Sequence, residues 1–396
     1  MKSLQKHETP LRVLFLVTSM PIGGAETLLM NLVRRLDRKQ IHPEVACLKD
    51  RGPLGDELVK EIPVHSNLLA IKFDLRVLYR LWKLMRTRRI DAVVTVGAGD
   101  KMFWGRLAAR MAGVRVVISA LHSTGWPDSV GRLNRLLTPL TDAFVGVAQS
   151  HSEHLVEKEG FPATKVHTIF NGVDTKRFCP GDRDKVRREL GLPLDSKVVA
   201  ILAALRPEKN HALFLEGAAE ILRSESRAQF LIIGDGPLRE HLELKAQQLG
   251  LQNVTHFLGS RSDVEGVLQC VDAVALTSHN EASPVSILEA LSCSVPVVAA
   301  NVGSVGETVI DGITGKLFAA GDSSGFVACT LDLLDDEELR TKLGAKGRER
   351  TIKHWSLESM VHGYESLICS LAQPSAKLIV ARDQVSVLSS QSHTAH

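Results

Sequence analysis

The feature that most constrains the fold is an alternation of short β-branched runs with amphipathic segments, which occurs twice along the 396 residues. This alternation is typical of parallel α/β units, in which a helix follows each strand. In the first half the predicted strands are Arg12–Val17, Glu44–Leu48, Ala92–Val96, Val114–Ala120, Ala143–Val147 and Val166–Phe170, with helices over about 25–36, 74–88, 100–112 and 129–140. In the second half they are Val198–Leu202, Phe230–Ile233, Val254–Leu258, Ala273–Leu276 and Val295–Ala299. The sequence therefore predicts an α/β fold of two Rossmann-like, doubly wound domains that face each other across a cleft.

A turn-rich stretch over residues 171–182 separates the two alternating halves. A chain of this length is too long for one ordinary core, so the stretch is interpreted as a linker. We predict an N-terminal domain over residues 1–178 and a C-terminal domain over 179–355. A final amphipathic helix over 356–372 is expected to pack back on the first domain, and the Ser-rich tail over 373–396 is expected to be disordered.

Charge is distributed unevenly along the chain. Residues 1–180 contain 27 Lys and Arg against 17 Asp and Glu, a net charge of +10, whereas the remainder contains 21 against 28, a net charge of −7. The basic half suggests an anionic surface or substrate, and scattered solvated charge is the alternative. The six cysteines are far apart, and no apolar run is long enough to span a membrane. We therefore expect a cytoplasmic protein that is at most peripheral, at the inner face of a membrane.

The segment from Glu281 to Glu289 is the strongest functional motif. It follows a predicted strand, and Pro284 suits the first turn of a helix because its missing N–H needs no partner there. Such a helix presents free backbone N–H groups from Val285 onward to an anion such as a diphosphate. Glu289 lies about 8 Å farther along the helix axis, so two carboxylates that can accept hydroxyl hydrogen bonds bracket the anion site. The alternative is a solvated glutamate followed by an ordinary helix glutamate.

With the residues that follow it, this segment resembles a known family. The run Ala290 to Ala299, then Gly303 and Gly306-Glu307, is similar to the retaining GT-B-type glycosyltransferases of family four (glycosyl transferases group 1), with their E-x7-E motif and A-x-x-x-G-x-P-V-V segment. The resemblance extends from about Arg12 to about Leu371. Ser294 stands where the family usually has Gly.

The resemblance implies roles for individual residues. Glu281 would contact the hydroxyls of the donor sugar near the reacting centre, and Glu289 would bind the ribose. The residues at the predicted helix start would bind the donor diphosphate; they are Ser283, Val285 and Ser286. The first domain would lie on the acceptor side and the second would bind the nucleotide sugar.

Two cations follow the first strand of the second half, in Leu205-Arg206-Pro207-Glu208-Lys209-Asn210. Loops at the carboxyl ends of strands are where open α/β sheets bind ligands. A leaving nucleoside diphosphate needs cations because charge builds on its β-phosphate, so Arg206 and Lys209 are predicted to bind it without a metal. The resembled family commonly has G-R-L-x-x-x-K here, and Ala204 occupies its Arg position, which leaves the part of Arg206 open. A charged surface turn is the alternative.

Two loops of the first half complete the predicted site. Gly23 and Gly24 lie between the first strand and its helix, where glycines allow a ligand to approach the backbone and leave helix N–H groups open to an anion. His122 lies just past a predicted strand, and the resemblance implies that it contacts the donor sugar near the anomeric carbon. A plain tight turn and a structural histidine are the alternatives. Glu281, His122 and Lys209 are the predicted catalytic residues.

Other patterns are interpreted without a site. Asp182-Arg183-Asp184 resembles a D-x-D metal motif but lies in the linker, so it is interpreted as solvated charge, and His151-Ser152-Glu153-His154 as an exposed helix start. The basic, apolar stretch from Asp74 to Arg86 could lie on an anionic membrane; a core-facing stripe with a solvated basic face is the alternative. No metal or resident cofactor is predicted.

These observations predict a retaining glycosyltransferase that moves a sugar from a UDP- or GDP-type donor to a hydroxyl acceptor. The expected partners are the nucleotide sugar and a glycan or lipid-linked acceptor in polysaccharide or glycolipid assembly, with peripheral contact to an anionic membrane and no nucleic acid. A nucleotide-sugar epimerase on the same fold and a non-catalytic partner subunit are the alternatives.

Overall fold

The computed structural model describes residues 9–70, 74–97, 99–122 and 135–373, and these form two parallel β-sheets with helices on their faces. The predicted tail lies almost entirely outside the described residues, as does half of the predicted helix over 129–140. The strands of the first sheet are β1 (Leu11–Val17), β2 (Ile41–Cys47), β3 (Val64–His65), β4 (Ala92–Val96), β5 (Val116–Ala120), β6 (Ala143–Gly146) and β7 (Val166–Thr168). The strands of the second are β8 (Lys197–Leu202), β9 (Ala228–Ile233), β10 (Thr255–Gly259), β11 (Ala273–Leu276), β12 (Val297–Ala300) and β13 (Gly315–Phe318).

Helices connect these strands on both sides of each sheet. The helices of the first half are α1 (Gly24–Arg35), α2 (Gly52–Leu58), α3 (Arg76–Arg88), α4 (Asp100–Ala112) and α5 (Gln149–Glu157). Those of the second half are α6 (Arg183–Glu189), α7 (His211–Ser224), α8 (Arg239–Gln248), α9 (Val264–Leu268), α10 (Val285–Ser292), α11 (Val305–Thr308), α12 (Ser323–Asp335), α13 (Glu337–His354) and α14 (Leu357–Ala372).

Both sheets have the same strand order. The first runs β3-β2-β1-β4-β5-β6-β7 and the second β10-β9-β8-β11-β12-β13, with parallel pairing throughout. In each sheet the order reverses beside the first strand, between β1 and β4 and between β8 and β11. Ligands of open α/β sheets bind outside the carboxyl ends of the strands at such a switch point. The predicted fold class is confirmed.

Some elements differ from the prediction. The edge strands β3 and β13 were not predicted because two and four residues are too few to show a period. The strand predicted from Val295 begins at Val297 because the chain first leaves α10 through Ser294, whose φ is +61°. A left-handed residue after a helix is usually glycine, and a residue with a Cβ costs roughly 1–2 kcal/mol there. This conformation explains why the resembled family has Gly at the position of Ser294.

The final helix, α14, packs against the first sheet although it follows the second in sequence. Met360, Tyr364 and Ile368 are buried in the same apolar cluster as Phe15 of β1 and Val33 of α1. Burying an aliphatic or aromatic side chain contributes about 1.5–3 kcal/mol, so this helix fastens the end of the chain to the first domain.

The Asp182-Arg183-Asp184 segment begins helix α6. The Asp182 side chain caps that helix by accepting a hydrogen bond from Lys185 N at 3.0 Å. Arg183 pairs with Asp272 at 3.0 Å, and the fully buried Arg187 pairs with the same carboxylate at 2.9 Å. The interpretation of the segment as solvated charge was therefore wrong in part, since the linker end is fixed to a buried aspartate beside β11.

The helix interpreted as an exposed start is also more buried than expected. His151 and Ser152 of α5 are 2% and 6% exposed because the helix packs beneath β6 and β7. In the part of the chain that the structure describes, no helix is both long and apolar enough to cross a membrane.

Candidate active site

The loops that follow β8 and β11 meet at the switch point of the second sheet, and they bring Lys209 and Glu281 together. Lys209 ends a short 3₁₀ turn over Pro207–Lys209, and its Nζ lies 2.6 Å from Glu281 Oε1. Ser278 Oγ donates to the same oxygen at 2.7 Å. No described residue donates to Glu281 Oε2. The carboxylate is therefore fixed through one oxygen and retains the other for a ligand hydroxyl.

Glycines allow the loop of Lys209 to pack against the loop that follows β9. A Cβ added at Gly234 would lie 2.1 Å from Ala203 O, and one at Gly236 would lie 2.6 Å from Leu205 O. Since Cβ atoms do not approach this closely, only glycine permits the two loops to stack. Thr277 Oγ1 then donates to the carbonyl of Lys209 at 3.1 Å, which joins that loop to the one following β11.

The backbone of Glu281 is held from the opposite side by Gly303 and Ser304. Gly303 has φ +52°, and a Cβ there would lie 1.8 Å from Glu281 O. Ser304 N donates to that same carbonyl at 3.2 Å, and its hydroxyl donates to Ala282 O. Glu281, which is 8% exposed, is therefore rigidly placed.

The starts of α10 and α1 face each other from different domains. No side chain caps α10, so its first backbone N–H groups, beginning at Val285, have no side-chain acceptor. A Cβ at Gly24 would lie 3.9 Å from Val285 Cγ2, and Val285 packs against the apolar cluster of the first domain. Asn171 Nδ2 donates to Ser283 O at 3.0 Å and joins the linker to the same turn. An anion placed between the helix starts would receive N–H groups and both favourable dipole ends.

Glu289 lies on α10, beyond the first turn. Burial raises the pKa of its carboxyl to about 7, while nearby Arg177 lowers it and Glu265 raises it further. Desolvation disfavours the ionised form of this carboxyl, so that form needs hydrogen-bond donors from a ligand or from solvent. Ser286, in the first turn of the same helix, is half-buried.

His122 lies two residues after the end of β5 on the first domain. It lines a small cavity with Ala25 of α1 and Val96 of β4, so it lies beside the glycine loop that faces Val285. Burial lowers the pKa of its imidazole to about 4, with smaller contributions from His151 and Lys101. At neutral pH the ring is uncharged, and it can donate or accept a hydrogen bond without contributing a cation.

The Arg206 side chain has no described hydrogen bond with this group. It is exposed at the start of the 3₁₀ turn, and no described carboxylate forms an ion pair with it. The structure thus brings Lys209, Glu281, Ser283 and Val285 together with the loop of Gly23 and Gly24, while Arg206 is exposed. Its assignment to the donor, like that of the other site residues, stays a prediction.

Comparison with known protein families decides the relationship. Residues 22–177 match the family described as Glycosyltransferase Family 4, and residues 182–350 match Glycosyl transferases group 1. The two matches adjoin at the linker and together include nearly all of both domains. The chain is a GT-B glycosyltransferase of group 1. Its general activity is transfer of a sugar from a nucleotide sugar, as the sequence predicted.

Curated relatives of this transferase include enzymes with different acceptors. It is 28% identical over 342 residues to an Escherichia coli UDP-Gal:alpha-D-GlcNAc-diphosphoundecaprenol alpha-1,3-galactosyltransferase, covering 82% of this chain and 88% of that protein. It is 26% identical over 303 residues to the N-acetyl-alpha-D-glucosaminyl L-malate synthase of Bacillus anthracis, covering 74% of this chain and 78% of the relative.

Solved structures share the fold of the transferase. Anabaena Alr3699/HepE, in complex with UDP and glucose, superimposes with a TM-score of 0.80 at 22% identity over 91% of this chain and 100% of that one. A glycosyltransferase from Rickettsia africae ESF-5 gives a TM-score of 0.81 at 18% identity, covering 92% of this chain and 100% of that one. At these identities the likeness establishes the architecture.

Sequence reasoning missed residues that hold the site together. Ser278 could have been found, because it follows β11 three residues before Glu281 and a hydroxyl there can reach the carboxylate. Asn171 had no such signal: its contact with Ser283 joins residues 112 positions apart. Glu307 was noted only as part of the family motif, and its carboxylate contacts the first domain.

The raised pKa of Glu289 predicts a pH-dependent KM for the donor. At pH 6 the carboxyl is mostly protonated and at pH 8 mostly ionised, since its pKa is about 7. If the ionised form accepts ribose hydroxyls, the KM for the nucleotide sugar should fall about tenfold from pH 6 to pH 8. Steady-state kinetics across this range, with Glu289→Gln as comparison, measures the effect.

The same shift affects the stability of the free enzyme. The pKa of Glu289 in the folded state lies above the ordinary glutamate value of 4.5, so the folded state retains a proton between pH 4.5 and 7 that the unfolded state releases. The favourable contribution of this carboxyl to the free energy of unfolding is therefore present at low pH and is lost as the pH rises through 7. The Tm of Glu289→Gln should therefore rise relative to wild type between pH 5 and pH 8. For the KM prediction above, a donor KM that varies with pH equally in wild type and Glu289→Gln would exclude Glu289 as the carboxylate that binds the ribose.

Proposed function

We propose that the enzyme is a retaining, metal-independent glycosyltransferase that uses a UDP- or GDP-sugar and a hydroxyl acceptor on a glycan or lipid-linked glycan. The observation that supports it best is the Lys209–Glu281 pair, 2.6 Å apart beside the uncapped start of α10. A cation and free N–H groups suit a diphosphate, and a carboxylate with one unoccupied oxygen suits sugar hydroxyls.

In this proposal the donor diphosphate lies between the starts of α1 and α10, against Gly23, Gly24, Ser283, Val285 and Ser286. The bond between the anomeric carbon and the β-phosphate oxygen breaks, and a bond from the acceptor oxygen forms on the same face. The acceptor proton passes to the departing phosphate. Lys209 stabilises the charge that develops on that phosphate, which supplies what a metal ion supplies in other transferases.

The remaining residues orient the sugar and the nucleoside. Glu281 Oε2 accepts a hydroxyl of the transferred sugar, and neutral His122 hydrogen-bonds near the anomeric carbon from the first domain. Glu289 accepts the ribose hydroxyls. Because these groups belong to two domains, a closed cleft is needed to assemble the site and to exclude water, which would otherwise hydrolyse the donor.

A lipid-linked acceptor at the inner face of a membrane is the second part of the proposal. Helix α3 buries Val77, Leu81 and Met85 in the core. Leu75, just before the helix, and Tyr79, on its other face, are 72% and 60% exposed. Three exposed cations share this helix; they are Arg76, Lys83 and Arg86. Exposed apolar groups among cations favour an anionic membrane surface. The E. coli relative, whose name gives alpha-D-GlcNAc-diphosphoundecaprenol as the acceptor, supports the same acceptor class.

A panel of UDP- and GDP-sugars in a thermal-shift assay should identify the donor, and turnover with diphospholipid-linked sugars should then identify the acceptor. We expect NMR of the product to show the anomeric configuration of the donor, and EDTA to leave the rate unchanged. An inverted product would reject retention. Loss of activity in EDTA that Mg²⁺ restores would reject metal independence, and an isomerised nucleotide sugar without acceptor would favour the epimerase.

A further inference from the structure

Glu307 of the second domain contacts a helix of the first domain. Its carboxylate accepts hydrogen bonds from Gln149 N at 2.9 Å and Ser150 N at 2.7 Å, and the Ser150 hydroxyl also donates to it. These N–H groups are the first two of α5. Glu307 is on α11, so the contact crosses from one domain to the other.

The start of α5 has no cap of its own. Ala148 occupies the capping position and offers no side-chain acceptor, and alanine is among the poorest residues there. The first N–H groups of a helix need partners and favour a negative charge. Glu307 meets both needs from the opposite domain, and separating the domains would leave these N–H groups to solvent.

On each domain, the segment that makes this contact adjoins a segment with a proposed catalytic residue. On the second domain, Ser304 lies three residues before Glu307 and donates through N to Glu281 O at 3.2 Å. On the first domain, α5 follows β6, and Val145 O of that strand accepts a hydrogen bond from Leu121 N at 2.9 Å, next to His122. Short chains of backbone contacts therefore connect the segment of Glu307 to Glu281 on one side, and the helix that it caps to the segment of His122 on the other.

We propose that Glu307 is a positioning residue that holds the cleft closed by capping α5 across the two domains, so that Glu281 and His122 face the same donor sugar. The inference rests on the proposed function for its catalytic consequence, although the closure itself does not. Opening of the cleft breaks the contact, and closure reforms it together with the contact between Gly24 and Val285. Donor binding and closure then reinforce each other, since each favours the same arrangement.

The test compares Glu307→Ala with Asp336→Ala. Asp336 also caps a helix, accepting from Leu339 N at 2.8 Å, but it does so within the second domain and between neighbouring residues. For Glu307→Ala we expect a larger radius of gyration by small-angle scattering with UDP bound. We also expect a fall in kcat/KM of about tenfold or more, the range for a charge-assisted hydrogen bond, and a larger share of donor lost to hydrolysis. Asp336→Ala should match wild type in all three.

Conservative variants separate closure from folding. Glu307→Gln retains an oxygen acceptor and should recover part of the rate, while Glu307→Asp is too short to reach α5 and should resemble Ala. If Glu307→Ala is unfolded by circular dichroism, Ser150→Ala, which removes one donor, should show the same changes at smaller size. A folded Glu307→Ala with the scattering curve and hydrolysis share of wild type would overturn the inference. Absence of nucleotide-sugar turnover in wild type would instead reject the proposed function, and the scattering result would still stand.

Discussion

Glu281→Gln is expected to lower kcat by about 10²–10³-fold, the range seen when a group that stabilises a transition state is removed. The physical reason is that the two oxygens of the Glu281 carboxylate have different partners. Lys209 and Ser278 both donate to Oε1, so an amide oxygen can replace that atom without disturbing either donor. The amide nitrogen then occupies the place of Oε2 and offers a donor where the sugar hydroxyl needs an acceptor. Steady-state kinetics with saturating donor measures the loss.

The control for this variant is Glu216→Gln. Glu216 pairs with Lys245 at 2.6 Å, the distance found between Glu281 and Lys209, but on the outer face of α7 and α8. We expect it to retain wild-type kcat, because an exposed pair contributes about 0–1 kcal/mol. Glu281→Gln should keep the wild-type Tm within a few degrees and still bind UDP. A kcat within threefold of wild type in the folded variant would remove Glu281 from the mechanism.

The architecture could be predicted because strand and helix periods dominate this sequence. Once two parallel sheets are inferred, residues just past their strands must lie at the carboxyl edge, which places Lys209 after β8 and Glu281 after β11. Their meeting at the switch point follows from topology alone. For the same reason the position of His122 past the carboxyl end of β5 could be predicted, while its role stays a prediction.

Properties that depend on side-chain direction or domain orientation could not be predicted. Arg206 lies in the predicted loop, but its exposure could not be inferred from its charge and position alone. The burial of Glu289 depends on how α10 packs, and its raised pKa follows from that packing. The contact of Glu307 with Ser150 joins residues 157 positions apart on different domains. Neither residue period nor motif spacing contains this information.

Lys209→Met is expected to reduce kcat and kcat/KM together by about 10²–10³-fold while the KM for the donor changes little. Negative charge grows on the β-phosphate as the glycosidic bond breaks, so a cation beside it stabilises the transition state more than the ground state. Methionine keeps the length of the side chain without its charge. The 3₁₀ turn should persist, because Thr277 Oγ1 binds the backbone carbonyl of residue 209 rather than its side chain.

Lys245→Met is the matched control, since the side chains of Lys245 and Lys209 are both 24% exposed and each pairs with a glutamate at 2.6 Å. Its kcat should stay within twofold of wild type. A double-mutant cycle of Lys209→Met with Glu281→Gln provides a second test, because groups in direct contact lose activity non-additively. The double variant should therefore lose less than the product of the single losses. If the two losses multiply, the side chains of Lys209 and Glu281 act independently. If Lys209→Met loses as little activity as Lys245→Met, Lys209 has no part in stabilising the departing phosphate.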